Sequence, residues 1–349
     1  MRVKSFLIVF ITLLITSFLI SCESNSESNS SIYKGENNKA YVQPKSKIIL
    51  AHNAFEDSII SSDAVKLKGI LEEKSDGEIG VDIYENLGSL LETQEAVKNN
   101  VIQMEIGTVD SNLSPAFSIF DLPNVVPNRK VAREIFIKGT PLRNAFEQEF
   151  EKINLKLLVI APSTFSVMSA NKSIKSIGDL KHIKIGVLEN DVVQISLQLL
   201  GAIPVTMEHS QLYLELQQGI VEAQENPIDV IVATKLNEQQ KYIIDTKHFM
   251  NYTGVWINLD FYNSLSKEYK KIIDDSMPEI ERYSYDMSLA YDELSRIKLK
   301  NLGFEFISMP KVDLIKMRNA ANGAYDIVRK KSGEELLNIY LKSVLDVAD

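Results

Sequence analysis

From Lys47 onward, short apolar runs alternate with stretches whose apolar residues recur at helical spacing, the pattern of an α/β fold with mainly parallel strands. Lys47–Ala51 reads as a strand. Ser61–Lys74 follows with Ala64, Val65, Leu67, Ile70 and Leu71 at helical spacing, behind Ser61 or Ser62 as cap. Asp76-Gly77 is a turn signal leading into a strand at Ile79–Tyr84. A helix at Leu90–Asn99 and a strand at Gln103–Gly107 come next, and Pro115, Pro123 and Pro127 mark an irregular connection. Further strands are expected at Lys156–Ala161, Val167–Ala170, Ile183–Val187, Ile203–Met207, Val255–Leu259 and Phe304–Ser308. Helices are expected at Lys130–Ile137, Pro141–Lys152, Val192–Leu200, Gln211–Gln218 and Val312–Lys330, with one long helical region at Lys267–Leu299 that Pro278 kinks or divides. A chain of 349 residues exceeds one ordinary core and suits two lobes.

The N-terminus reads differently. Arg2 and Lys4 precede an apolar run from Phe6 to Ile20, shorter than the ~20 residues of a membrane span but right for a secretory signal. The run ends in Leu19-Ile20-Ser21-Cys22, which resembles the bacterial lipobox. That resemblance implies cleavage after residue 21 and lipidation of Cys22, the chain's only cysteine. An uncleaved N-terminal anchor is the alternative. Residues 22–45, rich in Ser, Asn, Lys and Glu, read as a flexible tether holding a soluble body near a bilayer, outside the cytoplasm.

Composition removes several function classes. Lys and Arg total 38 against 47 Asp and Glu, a net charge of −9, and no basic stretch is present, which argues against nucleic-acid binding. One cysteine excludes an internal disulfide framework and thiolate zinc sites. His52, His182, His209 and His248 lie too far apart for metal-ligand spacing. Neither nucleotide-binding glycine fingerprint, nor H-E-x-x-H, G-x-S-x-G or an EF-hand loop, occurs. No cofactor, metal or catalytic residue is therefore expected, and the chain reads as no enzyme.

The segment from Ile177 to Tyr242 carries IGDLKHIKIGV, LGAIPVTMEHSQLYLELQQGIVEAQENP and KLNEQQKYI. It resembles the extracytoplasmic solute-binding proteins of TRAP (tripartite ATP-independent periplasmic) transporters, of the dicarboxylate and sialic-acid binding type. EEKSDGEIGVDIYENLGSLLETQEAV, FDLPNVV and KHFMNYTGVWINLDFYNSLS extend the likeness over residues 46 to 335. The resemblance implies a two-lobed α/β periplasmic-binding-protein-like fold with discontinuous lobes, a hinge and a long helix crossing both. Mapped here, lobe one is 45–163 plus 253–292 and lobe two is 164–252 plus 293–349. It also implies a periplasmic receptor that closes on a small molecule and hands it to integral membrane permease subunits.

One departure bears on the ligand. The family's carboxylate-binding arginine sits in K-[IL]-R-V, which here is Lys184-Ile185-Gly186-Val187; a second common arginine maps to Ser166. Two charge-assisted hydrogen bonds of ~1.5–3 kcal/mol each are thereby missing, so a neutral, apolar or cationic ligand is expected over a simple carboxylate. Lys184 or Lys181 could substitute. The resemblance implies ligand contacts at His52, Asn53, Thr108, Ser166, Gly186, Glu189, His209, Tyr213, Asn226 and Tyr252. Asn226 sits in the intact AQENP motif, where a cap or turn role is its alternative; Trp256, the only tryptophan, reads as core. The lost arginines also permit another reading, a structural or interaction lipoprotein on a degenerate binding-protein fold.

Overall fold

The computed structural model describes residues 43–348, so the expected signal peptide, Cys22 and most of the tether lie outside the described residues. Among the described residues, nine strands form one mixed sheet. They are β1 (Ser46–His52), β2 (Ile79–Glu85), β3 (Met104–Thr108), β4 (Leu155–Ala170), β5 (Lys184–Val187), β6 (Ile203–Thr206), β7 (Ala223–Pro227), β8 (Tyr242–Asn258) and β9 (Glu305–Ser308). The order is β2-β1-β3-β8-β4-β7-β5-β6, with β9 paired to β8. Between the strands lie helices α1 (Ile59–Lys74), α2 (Leu90–Lys98), α3 (Arg129–Glu134), α4 (Pro141–Lys152), α5 (Asp191–Leu199), α6 (His209–Gln217), α7 (Ile228–Ala233) and α8 (Leu259–Ser264). The C-terminal part adds α9 (Lys267–Asn301), α10 (Lys311–Ala320), α11 (Asn322–Ser332) and α12 (Glu334–Ala348).

The two longest strands make the fold two-lobed while keeping it one compact body. The two short strands expected at Lys156–Ala161 and Val167–Ala170 are one strand of 16 residues, and Val255–Leu259 is the end of one of 17. In one half, β8 pairs with β3 from Thr253 to Ile257 and with β4 from Leu155 to Pro162. In the other, its Tyr242–Asp245 stretch pairs with β9, while β4 pairs with β7 from Ser166 to Ala170. Between these halves the β4–β8 register shifts at Pro162/Phe165 and again at Ser166/Met168. Each shift breaks ladder regularity and bends the pair, so the crossing is where the halves can hinge.

Each half has a core on both faces of its sheet. In the first, Leu67, Leu71, Val81, Ile106 and Ile273 pack one face, and Phe117, Phe146, Phe150 and Trp256 the other. In the second, Ile185, Leu197, Ala223 and Ile244 lie on one side, and Val167, Met207, Leu212 and Ile243 on the other. Trp256 is core, as expected, with 0% of its surface exposed. The C-terminal helix α12, beyond the last helix read from the sequence, sets Tyr340 edge-on to Phe120 at 5.9 Å, so it packs on the core of the first half.

One buried acid makes folding pH-dependent. Trp256 Nε1 donates to Glu105 Oε2 at 3.1 Å, but Oε1 has no partner among the described residues. Burial pushes the Glu105 carboxyl up from 4.5 to about 8, only partly opposed by the tryptophan hydrogen bond. Above 4.5 the unfolded chain ionises while the folded carboxyl stays protonated, so this residue's contribution is intact below 4.5 and lost as pH rises towards 8. Glu105→Gln should therefore match the parent near pH 4 and exceed it by about 2–4 kcal/mol at alkaline pH. Urea denaturation at both pH values checks this; a difference independent of pH would refute it.

Candidate functional site

The carboxyl ends of β3, β5 and the α5 N-terminus lie at the sheet edge where α/β folds place ligands. Gly186 on β5 faces Val205 of β6 and Gln224 of β7. A Cβ added there would lie 2.9 Å from Met207 Sδ, 3.1 Å from Met207 Cε and 3.2 Å from Leu212 Cδ1. The absent side chain thus leaves little free volume, because apolar groups from the β6–α6 turn and α6 occupy its place. Gly186, Asn226, Met207 and Leu212, together with Val187, Leu188, Glu208 and Glu225, line a small concavity. Its interior room is about 10 Å³, the space of one water molecule.

The structure brings Gly186 and Asn226 together, and Ser166 lies beside them on β4, opposite Pro227. Ser166 is buried and its Oγ accepts from Asn251 Nδ2 at 3.0 Å. Asn226 is only 7% exposed and donates to Gln224 Oε1. It sits within β7 opposite Val167, so the helix-cap alternative does not apply. Lys184 is exposed at the start of β5, and neither it nor Lys181 lines the concavity. No arginine or lysine does, among the described residues.

The other expected residues are dispersed. His52 ends β1, fully buried, with Nε2 3.7 Å from the Glu85 carboxylate and both ring nitrogens without a hydrogen bond; burial lowers its pKa. Asn53 Nδ2 donates to the Gly88 carbonyl at 2.8 Å. Thr108 ends β3 opposite Thr253, half-buried. Glu189 is exposed in the β5–α5 turn, and His209 opens α6. The Tyr213 hydroxyl donates to Glu238 and accepts from Gln239 Nε2 at 3.0 Å, tying α6 to the chain ahead of β8. Tyr252 is packed in the first half's core, stacked on Phe120 at 4.5 Å and 1% exposed. Phe136 meets the same ring edge-on at 5.0 Å, so Tyr252 is enclosed by the aromatic core of the first half.

Sequence reasoning missed Glu225, Glu208, Met207 and Leu212 at this concavity. Glu225 adjoins Asn226 in AQENP, and strand alternation groups Gln224 with Asn226, but only the fold shows what meets them. Behind the hinge, Arg129 Nη1 donates to the Ser163 carbonyl at 2.7 Å and to Ser288 O and Oγ at 2.9 Å, while Nη2 pairs with Asp292 at 3.1 Å.

The profile of bacterial extracellular solute-binding protein family 7 (DctP) matches residues 50–331. The chain belongs to this family. Members are solute receptors of TRAP transporters rather than enzymes, and they act in the periplasm. The ectoine-binding periplasmic protein TeaA of Halomonas elongata is 26% identical over 72% of this chain and 74% of its own length. The C4-dicarboxylate-binding periplasmic protein DctP of Rhodobacter capsulatus is 23% identical over 83% of this chain and 88% of its own. A TRAP solute-binding protein from Ochrobactrum anthropi, solved with its C-terminus in the ligand-binding pocket, superposes with a TM-score of 0.82. It is 24% identical and covers 87% of this chain and 96% of its own. The resemblance and the two-lobed α/β fold expected from sequence are thereby confirmed.

Proposed function

We propose that this family member is a lipid-anchored receptor, held through Cys22 to a bacterial membrane and tethered by residues 22–45. It captures a small solute between one lobe, 45–163 plus 253–292, on whose core α12 packs although its residues were expected in the other lobe, and a second lobe, 164–252 plus the rest of 293–349, and delivers it to the permease of a TRAP-type transporter. Closure is driven by a solute that touches both lobes, because only the closed form offers all its contacts. Asn226, Gly186 and Ser166 supply one side of the site, and His52, Asn53 and Thr108 at the ends of β1 and β3 supply the other. Glu189, His209 and Tyr213 stand around α5 and α6.

The solute is neutral, apolar or cationic rather than a simple carboxylate. One observation supports this most directly: Met207 and Leu212 close over Gly186, and no cation lines the concavity among the described residues. A carboxylate held there would be desolvated without a counter-charge. The same filling favours a second reading, an interaction lipoprotein whose cleft no longer binds a solute. Native mass spectrometry of protein extracted from membranes in detergent separates the two. A receptor should show a lipid-modified N-terminal Cys22 and a co-purifying small molecule, or a thermal shift with some metabolite of a broad panel. An unmodified N-terminus refutes the anchor; absence of both bound molecule and shift favours the second reading.

A further inference from the structure

The C-terminal helices cross between the halves. Met317 of α10 lies with Ile185 and Leu197 in the core of the second half. Leu336, Leu337 and Tyr340 of α12 lie with Phe117 and Phe146 in the core of the first. Between them, α11 packs at once on the 3₁₀ helix Pro115–Asp121, which follows β3, and on α5, which follows β5. Phe117 and Phe120 root the first of these in one half, and Val193 and Leu197 root α5 in the other. Rotation about the β4–β8 crossing that widens the cleft separates them, so α11 has to leave one or the other.

The two contacts differ in depth. Towards the first half, Ala324 and Val328 are fully buried in the cluster that holds Phe117, Phe120 and α12. Towards α5 the tie is mostly at the surface. Gly323 is exposed, and a Cβ there would lie 2.8 Å from Leu199 Cδ1, on a residue 54% exposed. Lys331 Nζ reaches Asp191 Oδ1 at 2.5 Å with both side chains partly exposed, and such a pair contributes little. Val192 of α5 is fully buried in the same cluster as Ala324 and Val328, so parting uncovers it and biases the halves towards closure. The chain also has a joint in the right place. α10 gives way to α11 at Ala321, whose ψ of −6° departs from the ψ of about −42° in a continuous helix.

We propose that α11 is a closing strap: it stays on the first half, parts from α5 when the cleft opens and returns when the halves meet, with Ala321 as its joint. The proposal goes beyond the receptor reading but rests on it, because a cleft that never opens needs no strap. The strap draws the halves together before any solute adds its contacts, so the solute has less of the closing to supply.

The folded body holds no cysteine, Cys22 being the chain's only one, so a disulfide can fasten α11 to α5 without a competitor there. The test uses the full chain in detergent, dialysed free of solute, with spin labels on ketone-bearing residues placed at Val101 and Leu214, exposed on the first and second halves. Double electron–electron resonance of the parent should show a longer distance, from open molecules, beside a shorter one. In the oxidised Gly323→Cys/Leu199→Cys chain the longer distance should vanish, and reduction should restore it. Lys331→Met, which removes only the ion pair, should raise the longer share about twofold, and it decides the question if the cysteine pair does not oxidise. A longer distance that survives oxidation means that α11 travels with α5; it overturns the proposal and leaves the receptor reading intact. So does an unchanged share in Lys331→Met where no disulfide forms. A single short distance in every form, parent and reduced alike, overturns both.

Discussion

Arg129→Met is expected to lower folding stability by about 3 kcal/mol, with the loss concentrated at the hinge between the halves. The guanidinium, with a side chain 10% exposed, joins three pieces of chain: α3, the bend of β4 at Ser163 and the middle of α9 at Ser288 and Asp292. From Asp292 the ion chain continues to Arg296 at 2.9 Å and on to Asp245 of β8 at 3.0 Å. The line Arg129–Asp292–Arg296–Asp245 thus fastens α9 to both hinge strands. Breaking a buried pair costs about 3–5 kcal/mol because the remaining charge is stranded. Asp292 keeps Arg296, which sets the expectation at the lower end. Arg129→Lys should recover only part, since one ammonium cannot reproduce the fork that reaches Ser163, Ser288 and Asp292 together. Chemical denaturation of the three forms provides the check; a loss below 1 kcal/mol in the methionine variant would mean that the hinge does not depend on this clamp.

Local pattern and long-range placement differ sharply in how far they can be read from this sequence. Strands such as Lys47–Ala51 and Ile79–Tyr84 were legible because their apolar runs are bounded by turn residues. The first helix begins at Ile59 with Ser58 as cap, accepting from Ser61 N, two residues or more before the expected start; several serines there compete for one role. Pro278 neither ends nor divides α9, a continuous helix of 35 residues. Its buried stripe, Ile273, Met277, Ile280 and Ser284, runs on through the proline, so packing offsets the roughly 3 kcal/mol that proline costs a helix interior. The expected single helix Val312–Lys330 is two, α10 and α11, meeting at Ala321.

The site shows the same division. Gly186 and Asn226 were legible as positions in a motif. What surrounds them was not, because Gln224, to which Asn226 donates, is held by Ser169, and Ser169 by Gln240, 71 residues away, only once β4 and β8 pair. Nor does a glycine in sequence say whether the space beside it is empty. Met207 and Leu212, both buried, reach it from beyond β6. The dispersed residues His52, Asn53 and Thr108 belong to strand ends that the sequence reads correctly, whereas Tyr252 follows the core because Phe120 and Phe136 enclose it.

Restoring a cation at the vacated position should invert the binding preference. Gly186→Arg is expected to gain about 3–6 kcal/mol towards small carboxylates, 10²- to 10⁴-fold in affinity, from two charge-assisted hydrogen bonds in a bidentate pair. The obstacle is local, since the new Cβ would lie 2.9 Å from Met207 Sδ, the far end of a flexible side chain that can swing aside. Gly186 has no backbone conformation reserved for glycine, so an arginine adds no backbone strain. Met207→Ala in the same chain opens the path and should widen the gain. Glu208, exposed at the rim of the concavity, is the carboxylate within its reach, and pairing with it would subtract from the affinity for an added acid. Gly186→Arg/Glu208→Gln should then bind more tightly than the single variant. Calorimetry with succinate and a sialic acid on the three variants measures this order. If none binds either acid while all remain folded, Gly186 does not face the solute, and the missing arginine cannot be what sets its charge.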